Sequence, residues 1–338
     1  MSVIYGNPII AGGGGLELVA NVETGATVTA KLGSKTVTGV SVGGQVRLKI
    51  PQEGKWTVSA TSGALVSAPQ EIIVPATVDI ALVMQELNDN SSWAAIKQVS
   101  DANMGANFWS VGDCKEVTMN GKVSNGLTLT NYSAWVFIIG FNHNSEREGN
   151  GIAFQGFKAT KNGTPVCLVD SRYNNQCSSV WFCMNASSAS GSTTSAGGWA
   201  SCGMRNDIMP LIKAAFPSDL QTVIKTSTIY TDNTGSGIAA VVPTATKDDV
   251  FLLAEYEVFG TRTHASTLEP NYLKQYSYYS AGNSKVMYRH NATDTDVRWW
   301  ERSPASSYSN SFCTVVANGS ANYYNASISQ GVSTAFKV

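Results

Sequence analysis

The sequence predicts an α+β fold in which a small all-β unit precedes a larger mixed domain. Residues 16–84 contain short runs that alternate apolar and polar side chains between Gly and Pro, which is the pattern of half-buried strands. Downstream, strand-like segments are interrupted by stretches with helical periodicity. A chain of 338 residues has room for two or three domains, so the two patterns can belong to separate cores.

Residues 16–87 are predicted to form an immunoglobulin-like β-sandwich. The strand candidates have the spacing of immunoglobulin-like or carboxypeptidase-regulatory-like modules, and they are LELVA, TVTAKLG, KTVTGVSV, QVRLKIP, KWTVSATSG and EIIVPATVDIALVM. The stretch from Gly25 to Gly63 resembles modules that decorate phage fibre and capsid proteins, which implies attachment to other virion proteins. Residues 1–15 are predicted to be an arm, with Gly12–Gly15 as a flexible lead.

Residues 88–338 are predicted to form one large α+β domain. Ser92 precedes Trp93 and AAIKQVSDANM as a helix N-cap would. The strand-like runs VTMNGKV, LTLTNYS, AWVFIIGFNHN and GIAFQGFKA follow. After the Gly/Ser-rich insertion ASSASGSTTSAGGWA, residues 205–224 have the pattern of one or two helices interrupted at Pro210 and Pro217.

The segment from Ser306 to Gln330 contains no Lys, Arg, Asp or Glu. Phe312, Cys313, Val315 and Val316 supply a short apolar strand that a disordered Ser/Asn tail would lack. Tyr offers rigid contact area and Ser, Asn and Gly offer adaptable hydrogen bonds, as in antibody binding sites, so the segment predicts a recognition surface. The candidate ligand-binding residues are Ser306, Ser307, Tyr308, Ser309, Asn310, Ser311, Thr314, Asn318, Asn322, Tyr323, Tyr324, Asn325, Ser327, Ile328 and Ser329.

Motifs around this surface carry a family resemblance. The span from about Ala254 to the C-terminus, with AEYEVFGTR, YYSAGNSKV, WWERSP and GVSTAFKV, resembles a C-terminal domain widespread in phage and prophage proteins of gut Firmicutes. That domain is similar to C-type-lectin-fold proteins of the formylglycine-generating-enzyme type, including variable proteins diversified by retroelements. The resemblance implies that residues 88–338 form a C-type-lectin-like ligand-binding domain.

The same resemblance implies that residues 305–330 are diversified by a retroelement. In such systems adenines are mutated during reverse transcription, so AAC and AAT codons yield Asn, Tyr, Ser, Thr, Ala, Gly, Asp or Ile, but never Lys or Glu. Residues from Ser306 to Ser329 fall largely within that set. A Ser/Asn-rich loop set on a secreted β-rich domain explains the same composition, and both interpretations stay open.

Charge and hydropathy exclude several classes of partner. The chain has 23 basic and 24 acidic residues, so no electrostatic attraction to nucleic acid is expected. No long apolar run predicts membrane insertion. Met1–Tyr5 lacks the basic start and apolar core of a signal peptide. We therefore expect synthesis in the bacterial cytoplasm and a final location on the tail or capsid surface of a virion.

No cofactor, metal site or catalytic residue is predicted. Glu269-Pro270-Asn271 reproduces the EPN tripeptide of calcium-dependent lectins, but the WND motif expected downstream is missing. Asp294 and Asp296 are interpreted as part of a solvated turn. The histidines His143, His264 and His290 do not have the spacing of metal ligands. The cysteines do not have it either, and we expect them to remain thiols; they are Cys114, Cys167, Cys177, Cys183, Cys202 and Cys313.

The aromatic and charged residues near the C-terminus are predicted to form the scaffold under the recognition surface. Trp299, Trp300, Arg302, Phe312 and Phe336 are expected in the core. Satisfied internal ion pairs are expected among the charged residues of the same region, which are Glu255, Glu257, Arg262, Glu301 and Arg302.

These expectations favour a non-enzymatic, virion-associated protein of a phage or prophage that binds a host-cell surface protein or glycan. Weak individual sites would gain from multivalency, so a homo-oligomer is expected, and the resemblance to phage receptor-binding proteins makes a trimer one form of it. Two alternatives belong to other classes. One is a purely structural decoration or tail protein, and the other is an enzyme acting on glycans, which would need a pair of carboxylates in a pocket.

Overall fold

The structure is a computed structural model that describes residues 16–63, 65–84, 87–88, 92–187 and 193–338. The chain divides into two compact units, residues 1–85 and 86–338. It is a mixed α+β protein, largely β, with several sheets, and its described helices lie in the second unit. The predicted arm, residues 1–15, lies outside the described residues.

The first unit consists of short strands. They are β1 (Leu16–Asn21), β2 (Thr27–Leu32), β3 (Lys35–Val40), β4 (Gln45–Ile50), β5 (Lys55–Ser62), β6 (Leu65–Val66), β7 (Gln70–Ile73), β8 (Ala76–Asp79) and β9 (Val83–Met84). They form a three-stranded sheet in the order β4-β1-β8 and a second sheet in the order β3-β2-β5-β6-β9, with β7 paired to β5.

The two sheets of the first unit share one apolar core. In β4, Val46, Leu48 and Ile50 are buried while Arg47 and Lys49 are exposed, because successive side chains of a strand point to opposite faces. Trp56 of β5 is completely buried in the same core. The alternation read from the sequence therefore selects the core residues of this unit.

The second unit contains eight short α-helices. They are α1 (Trp93–Asp101), α2 (Gly105–Phe108), α3 (Ser145–Glu148), α4 (Gly198–Ser201), α5 (Met209–Ala215), α6 (Ser218–Val223), α7 (Glu255–Phe259) and α8 (Ser277–Ser280) among the described residues. A π-helix spans Met204–Ile208, and a 3-10 helix spans Glu269–Asn271. The N-cap prediction for α1 is confirmed, because the Ser92 side chain accepts the N–H of Ala95 at 3.1 Å.

The described strands of the second unit form four sheets. The strands are β10 (Cys114–Ser124), β11 (Leu127–Phe141), β12 (Ile152–Lys158), β13 (Val166–Cys167), β14 (Ser227–Thr231), β15 (Thr244–Asp248), β16 (Val250–Phe251), β17 (Met287–Arg289), β18 (Ala292–Val297), β19 (Trp299–Pro304), β20 (Ser311–Val315), β21 (Ala321–Asn325) and β22 (Ala335–Lys337). Their sheet orders are β10-β11-β12-β22-β16, β13-β17-β18, β14-β15 and β19-β20-β21.

The C-terminal strand β22 is part of the core. It lies between β12 and β16, and Phe336 packs against Phe154 and Phe216 with ring centroids 5.4 Å apart in each case. Strand β19 is buried along its whole length. The side chains predicted to be core are confirmed as such, since each is 0% exposed, and they are Trp299, Trp300, Arg302, Phe312 and Phe336.

Candidate ligand-binding site

A buried ion pair anchors the scaffold of the C-terminal segment. Arg302 of β19 donates to both carboxylate oxygens of Glu257 at 2.6 Å, and both side chains are 0% exposed. Arg302 also donates to the carbonyl of Leu252 at 2.8 Å and to the hydroxyl of Thr231 at 2.6 Å. Burial opposes the charge, but the adjacent Glu257 carboxylate raises the pKa of Arg302 above its ordinary value. This bidentate pair fixes β19 relative to α7.

The other charged residues of this region do not form the predicted ion pairs within the described part of the chain. Glu255 instead accepts backbone N–H groups, including that of Ala265 at 2.8 Å. Arg262 donates to the carbonyl of Ala265 at 3.1 Å. Both carboxyl oxygens of Glu301 are buried without a hydrogen-bond partner, and burial raises the pKa of Glu301 well above its ordinary value. Burial therefore favours the protonated form of Glu301.

The structure separates the predicted ligand-binding residues by exposure. Ser307, Tyr308, Ser309 and Asn318 are exposed. Those half-buried are Asn310, Asn322, Tyr323, Tyr324, Asn325 and Ile328. Those with buried side chains, which a ligand on the surface does not reach, are Ser306, Ser311, Thr314, Ser327 and Ser329. Ser329, for example, donates to the carboxylate of Asp170 at 2.7 Å inside the protein.

Strand β21 directs its half-buried residues to two different faces. Tyr323 stacks on Tyr308 with ring centroids 4.2 Å apart, and His264 contacts Tyr323 edge-on at 5.1 Å. Tyr324 contacts Arg298 instead, with the guanidinium carbon 4.4 Å from the ring centroid. Successive strand residues point to opposite faces, so the two tyrosines belong to different surfaces. We call the first the Tyr308 face, defined by Tyr308, Tyr323 and His264.

The loop that carries Tyr308 is held in place by its neighbours. Ser195 donates its N–H to the carbonyl of Ser309 at 2.7 Å and its hydroxyl to the carbonyl of Tyr308 at 3.3 Å. Gly237 has a φ of +73°, and a Cβ there would lie 3.1 Å from the backbone nitrogens of Tyr308 and Ser309. At this positive φ any other residue would be strained, so glycine suits the close approach. The ring of Tyr308, which is 44% exposed, therefore stands on a fixed backbone.

The second surface is a cleft of about 660 Å³, which we call the Tyr324 cleft. This volume is within the range of small-molecule sites. The cleft combines aromatic, amide and charged side chains and is lined by Tyr173, Asn174, Asp296, Arg298, Val316, Ala317, Asn318 and Tyr324. Asn318 and Tyr324 are predicted site residues, and sequence reasoning missed Tyr173, Asn174 and Arg298.

Arg298 organises the cleft. Its backbone N–H donates to the hydroxyl of Tyr173 at 3.0 Å, and its guanidinium reaches the carbonyl of Tyr323 at 3.4 Å. Partial burial lowers the pKa of Arg298, but a guanidinium stays charged in proteins. The sequence did contain a local indication for Arg298. Asp296 and Arg298 lie on either side of the buried Val297, so their side chains point to the same, more exposed side of the chain. No sequence signal links them to Tyr173.

The EPN tripeptide and the Asp pair lie in different environments. Glu269 is 0% exposed and lies in a 3-10 helix, where it accepts a hydrogen bond from the Ser303 hydroxyl. Burial raises the pKa of Glu269 to about 8. Asp294 and Asp296 are exposed and lie in β18, whereas the sequence predicted a turn.

A group of possible metal ligands occurs in the core. Atoms of His143, Glu148 and Glu257 lie within 4.8 Å of one another. Glu148 is already bonded to Lys337 at 2.8 Å, and Glu257 is bonded to Arg302. A divalent cation would add two positive charges to a buried group that is already neutral, so we assign no metal to it. All six cysteines are buried free thiols.

The two faces lie within a region that matches a known family model. Residues 167–338 match a domain of unknown function, DUF6273. The chain belongs to the DUF6273 family. The DUF6273 region includes every residue of the Tyr308 face and of the Tyr324 cleft. No curated protein and no solved structure matches the sequence. Among the helices described, none is both long and apolar enough to cross a membrane.

Proposed function

We propose that this protein is a non-enzymatic ligand-binding protein that attaches a phage or prophage virion to the surface of its host cell. One observation carries the proposal. Tyr308, Tyr323 and Tyr324 are partly exposed, yet the strands beneath them, β19 and β20, are buried along their whole length. A surface of this kind keeps its shape without a partner, which reduces the entropy lost on binding.

The composition of the two faces supports recognition by contact. Tyrosine rings supply large contact areas with few rotatable bonds, and the amides of Asn318, Asn322 and Asn325 supply donors and acceptors beside them. The aromatic residues are the expected anchors of binding. In this proposal the contact residues are the exposed and half-buried members of the predicted set, and the five buried serine and threonine side chains serve the scaffold.

The proposal extends to the rest of the molecule. The second unit is taken as a C-type-lectin-like domain on the strength of its sequence motifs, and the first as an immunoglobulin-like module that attaches to other virion proteins. A homo-oligomer, with a trimer as one form, would present several copies of each face and raise the apparent affinity. Retroelement diversification of residues 305–330 would be tolerated at the surface positions, whereas changes at the buried positions would destabilise the fold.

The test is binding of the fluorescently labelled full-length protein to a panel of intact gut Firmicutes cells. The triple variant Tyr308→Ala, Tyr323→Ala, Tyr324→Ala should bind at least tenfold more weakly than the parent to any strain that the parent labels. Tyr272→Ala is the matched control, because Tyr272 is also half-buried and packs against another tyrosine, Tyr230, at 5.7 Å. Equal binding by a folded triple variant, or no binding by the parent to any strain, would disprove the proposal.

A further inference from the structure

We propose that the Tyr324 cleft binds a saccharide that bears a carboxylate, such as a uronic or sialic acid unit of a surface glycan. This inference rests on the proposed function and assigns a ligand class to one of its two faces. It follows from the charges, the hydrogen-bonding groups and the size of the cleft.

Two arginines at the cleft have no carboxylate partner within the described part of the chain. Arg298 lines the cleft, and Arg289 stacks on the cleft residue Tyr173 at 4.6 Å. The Nε of Arg289 is buried without a hydrogen-bond partner. The lining itself contains one cation, Arg298, and one anion, Asp296, which form no ion pair with each other, and the guanidinium of Arg289 adds positive charge beside Tyr173. A carboxylate matches both the charge and the planar geometry of a guanidinium.

The other lining groups suit hydroxyl groups better than apolar side chains. Asn174 and Asn318 each offer both donors and an acceptor, Asp296 offers acceptors, and a sugar hydroxyl can both donate and accept. Val316 and Ala317 are the aliphatic residues of the lining, so a large apolar peptide side chain would find little contact there. The rings of Tyr173 and Tyr324 provide amphipathic surfaces beside these polar groups.

The size and accessibility of the cleft fit the same ligand class. About 660 Å³ is enough for one or two sugar units. The cleft is also independent of the Tyr308 face, because Tyr323 and Tyr324 point to opposite sides of β21. A ligand in the cleft therefore leaves the Tyr308 face free.

The experiment applies the full-length protein to an array of oligosaccharides that carry glucuronic, galacturonic or sialic acid. Matched neutral probes are made by reducing each carboxyl group to the alcohol. We expect binding to at least one acidic saccharide and at least a tenfold loss on reduction. Because reduction replaces the carboxylate by a neutral hydroxymethyl group of similar size, this loss reports on charge recognition.

Variants then locate the bound saccharide. Arg298→Gln should weaken binding at least tenfold, and Arg298→Lys should retain part of the affinity because it keeps the charge. Asn318→Ala, at an exposed position, should weaken binding severalfold. Arg147→Gln is the matched control, since Arg147 stacks on Tyr272 at 4.5 Å in a different pocket and its loss should leave binding unchanged.

The outcomes separate this inference from the proposed function. The inference is overturned if cells are labelled but no acidic saccharide binds, or if reduced and acidic probes bind equally. It is also overturned if Asn318→Ala and Arg298→Gln bind the acidic saccharide like the parent while Tyr308→Ala does not. A further contrary outcome is binding of acidic peptides without binding of saccharides. In each of these cases attachment to cells stands, whereas a parent protein that labels no cells disproves the proposed function itself.

Discussion

Tyr323 and Tyr324 are adjacent in the chain but belong to two different surfaces of the second unit. Tyr323 stacks on Tyr308 at 4.2 Å, and Tyr324 contacts the guanidinium of Arg298 at 4.4 Å. The three tyrosines predicted to act together are therefore divided, so substitutions on one face should not affect the other.

The stacked pair Tyr308 and Tyr323 should show coupled effects on stability. In a double-mutant cycle with alanine, we expect a coupling free energy of about 0.5–1.5 kcal/mol, the usual value for an aromatic pair. The cycle of Tyr308 with Tyr324 is the control and should be additive within about 0.5 kcal/mol. Urea unfolding measures both cycles. Equal coupling in the two cycles would show that the tyrosines form one cluster.

Breaking the buried ion pair should be costly. Glu257→Gln or Arg302→Met should lower the free energy of unfolding by about 3–5 kcal/mol, because each change leaves the remaining partner buried without its counter-charge. Lys97→Ala serves as the control, because the Lys97–Asp101 pair is 38% and 48% exposed and should contribute less than about 1 kcal/mol. Thermal or urea unfolding measures the difference, and comparable losses for the two pairs would contradict the prediction.

Two serines of the recognition segment should respond differently to substitution by alanine. The Ser327 N–H and hydroxyl both donate to the Asn325 side chain at 3.0 Å, and Ser327 is 2% exposed. Ser327→Ala should therefore cost about 1 kcal/mol, whereas Ser307→Ala, at an exposed position, should stay within about 0.5 kcal/mol. Both serines belong to the predicted recognition surface, and two surface positions would both tolerate alanine. Urea unfolding of the two variants distinguishes these expectations.

The buried Glu269 should make stability depend on pH. Burial raises the pKa of Glu269 from 4.5 to about 8 in the folded state. The contribution of Glu269 to the free energy of unfolding is fully present below pH 4.5, where the carboxyl group is protonated in both the folded and the unfolded protein. It is lost as pH rises toward 8, because in that range the unfolded protein releases the proton more readily than the folded protein. The slope is at most about 1.4 kcal/mol per pH unit for one group.

Glu269→Gln provides the check on this assignment. Unfolding free energies measured between pH 5 and 8 should fall less steeply for the variant than for the parent, because the amide does not titrate. Part of the slope should remain, since the pKa of buried Glu301 is also raised. Identical slopes for parent and variant would show that Glu269 does not titrate in this range.

Removing divalent cations should change neither the melting temperature nor the binding of cells or saccharides. Glu148 and Glu257 are bonded to Lys337 and Arg302, and Glu269 is buried against Ser303. Lys337 and Arg302 already neutralise Glu148 and Glu257, and burial disfavours the charged form of Glu269, so these groups have little negative charge left to hold an ion. Melting curves and binding measured with and without EDTA test this. A clear fall in melting temperature on chelation would identify a bound ion that contributes to stability.

The sequence by itself determined the local features of this protein. Alternation within β4 selects Val46, Leu48 and Ile50 for the core, and the side chain of Ser92 caps α1. Each of these two features depends only on residues a few positions apart in the chain. The large aromatic residues at Trp299 and Trp300 were predictably buried, since their transfer from water is strongly favourable. The mixed, largely β fold class followed from the same periodicities.

Only the tertiary structure decided which distant residues share a surface. Tyr173 meets Arg298 in the Tyr324 cleft although they lie 125 residues apart in the chain, and nothing in the local pattern of either residue indicates the other. Similarly, Thr314 and Ser329 have the composition of a recognition surface but are 0% exposed, because other elements cover them. Composition describes what a side chain can bind, whereas its access to a ligand depends on packing between elements far apart in sequence.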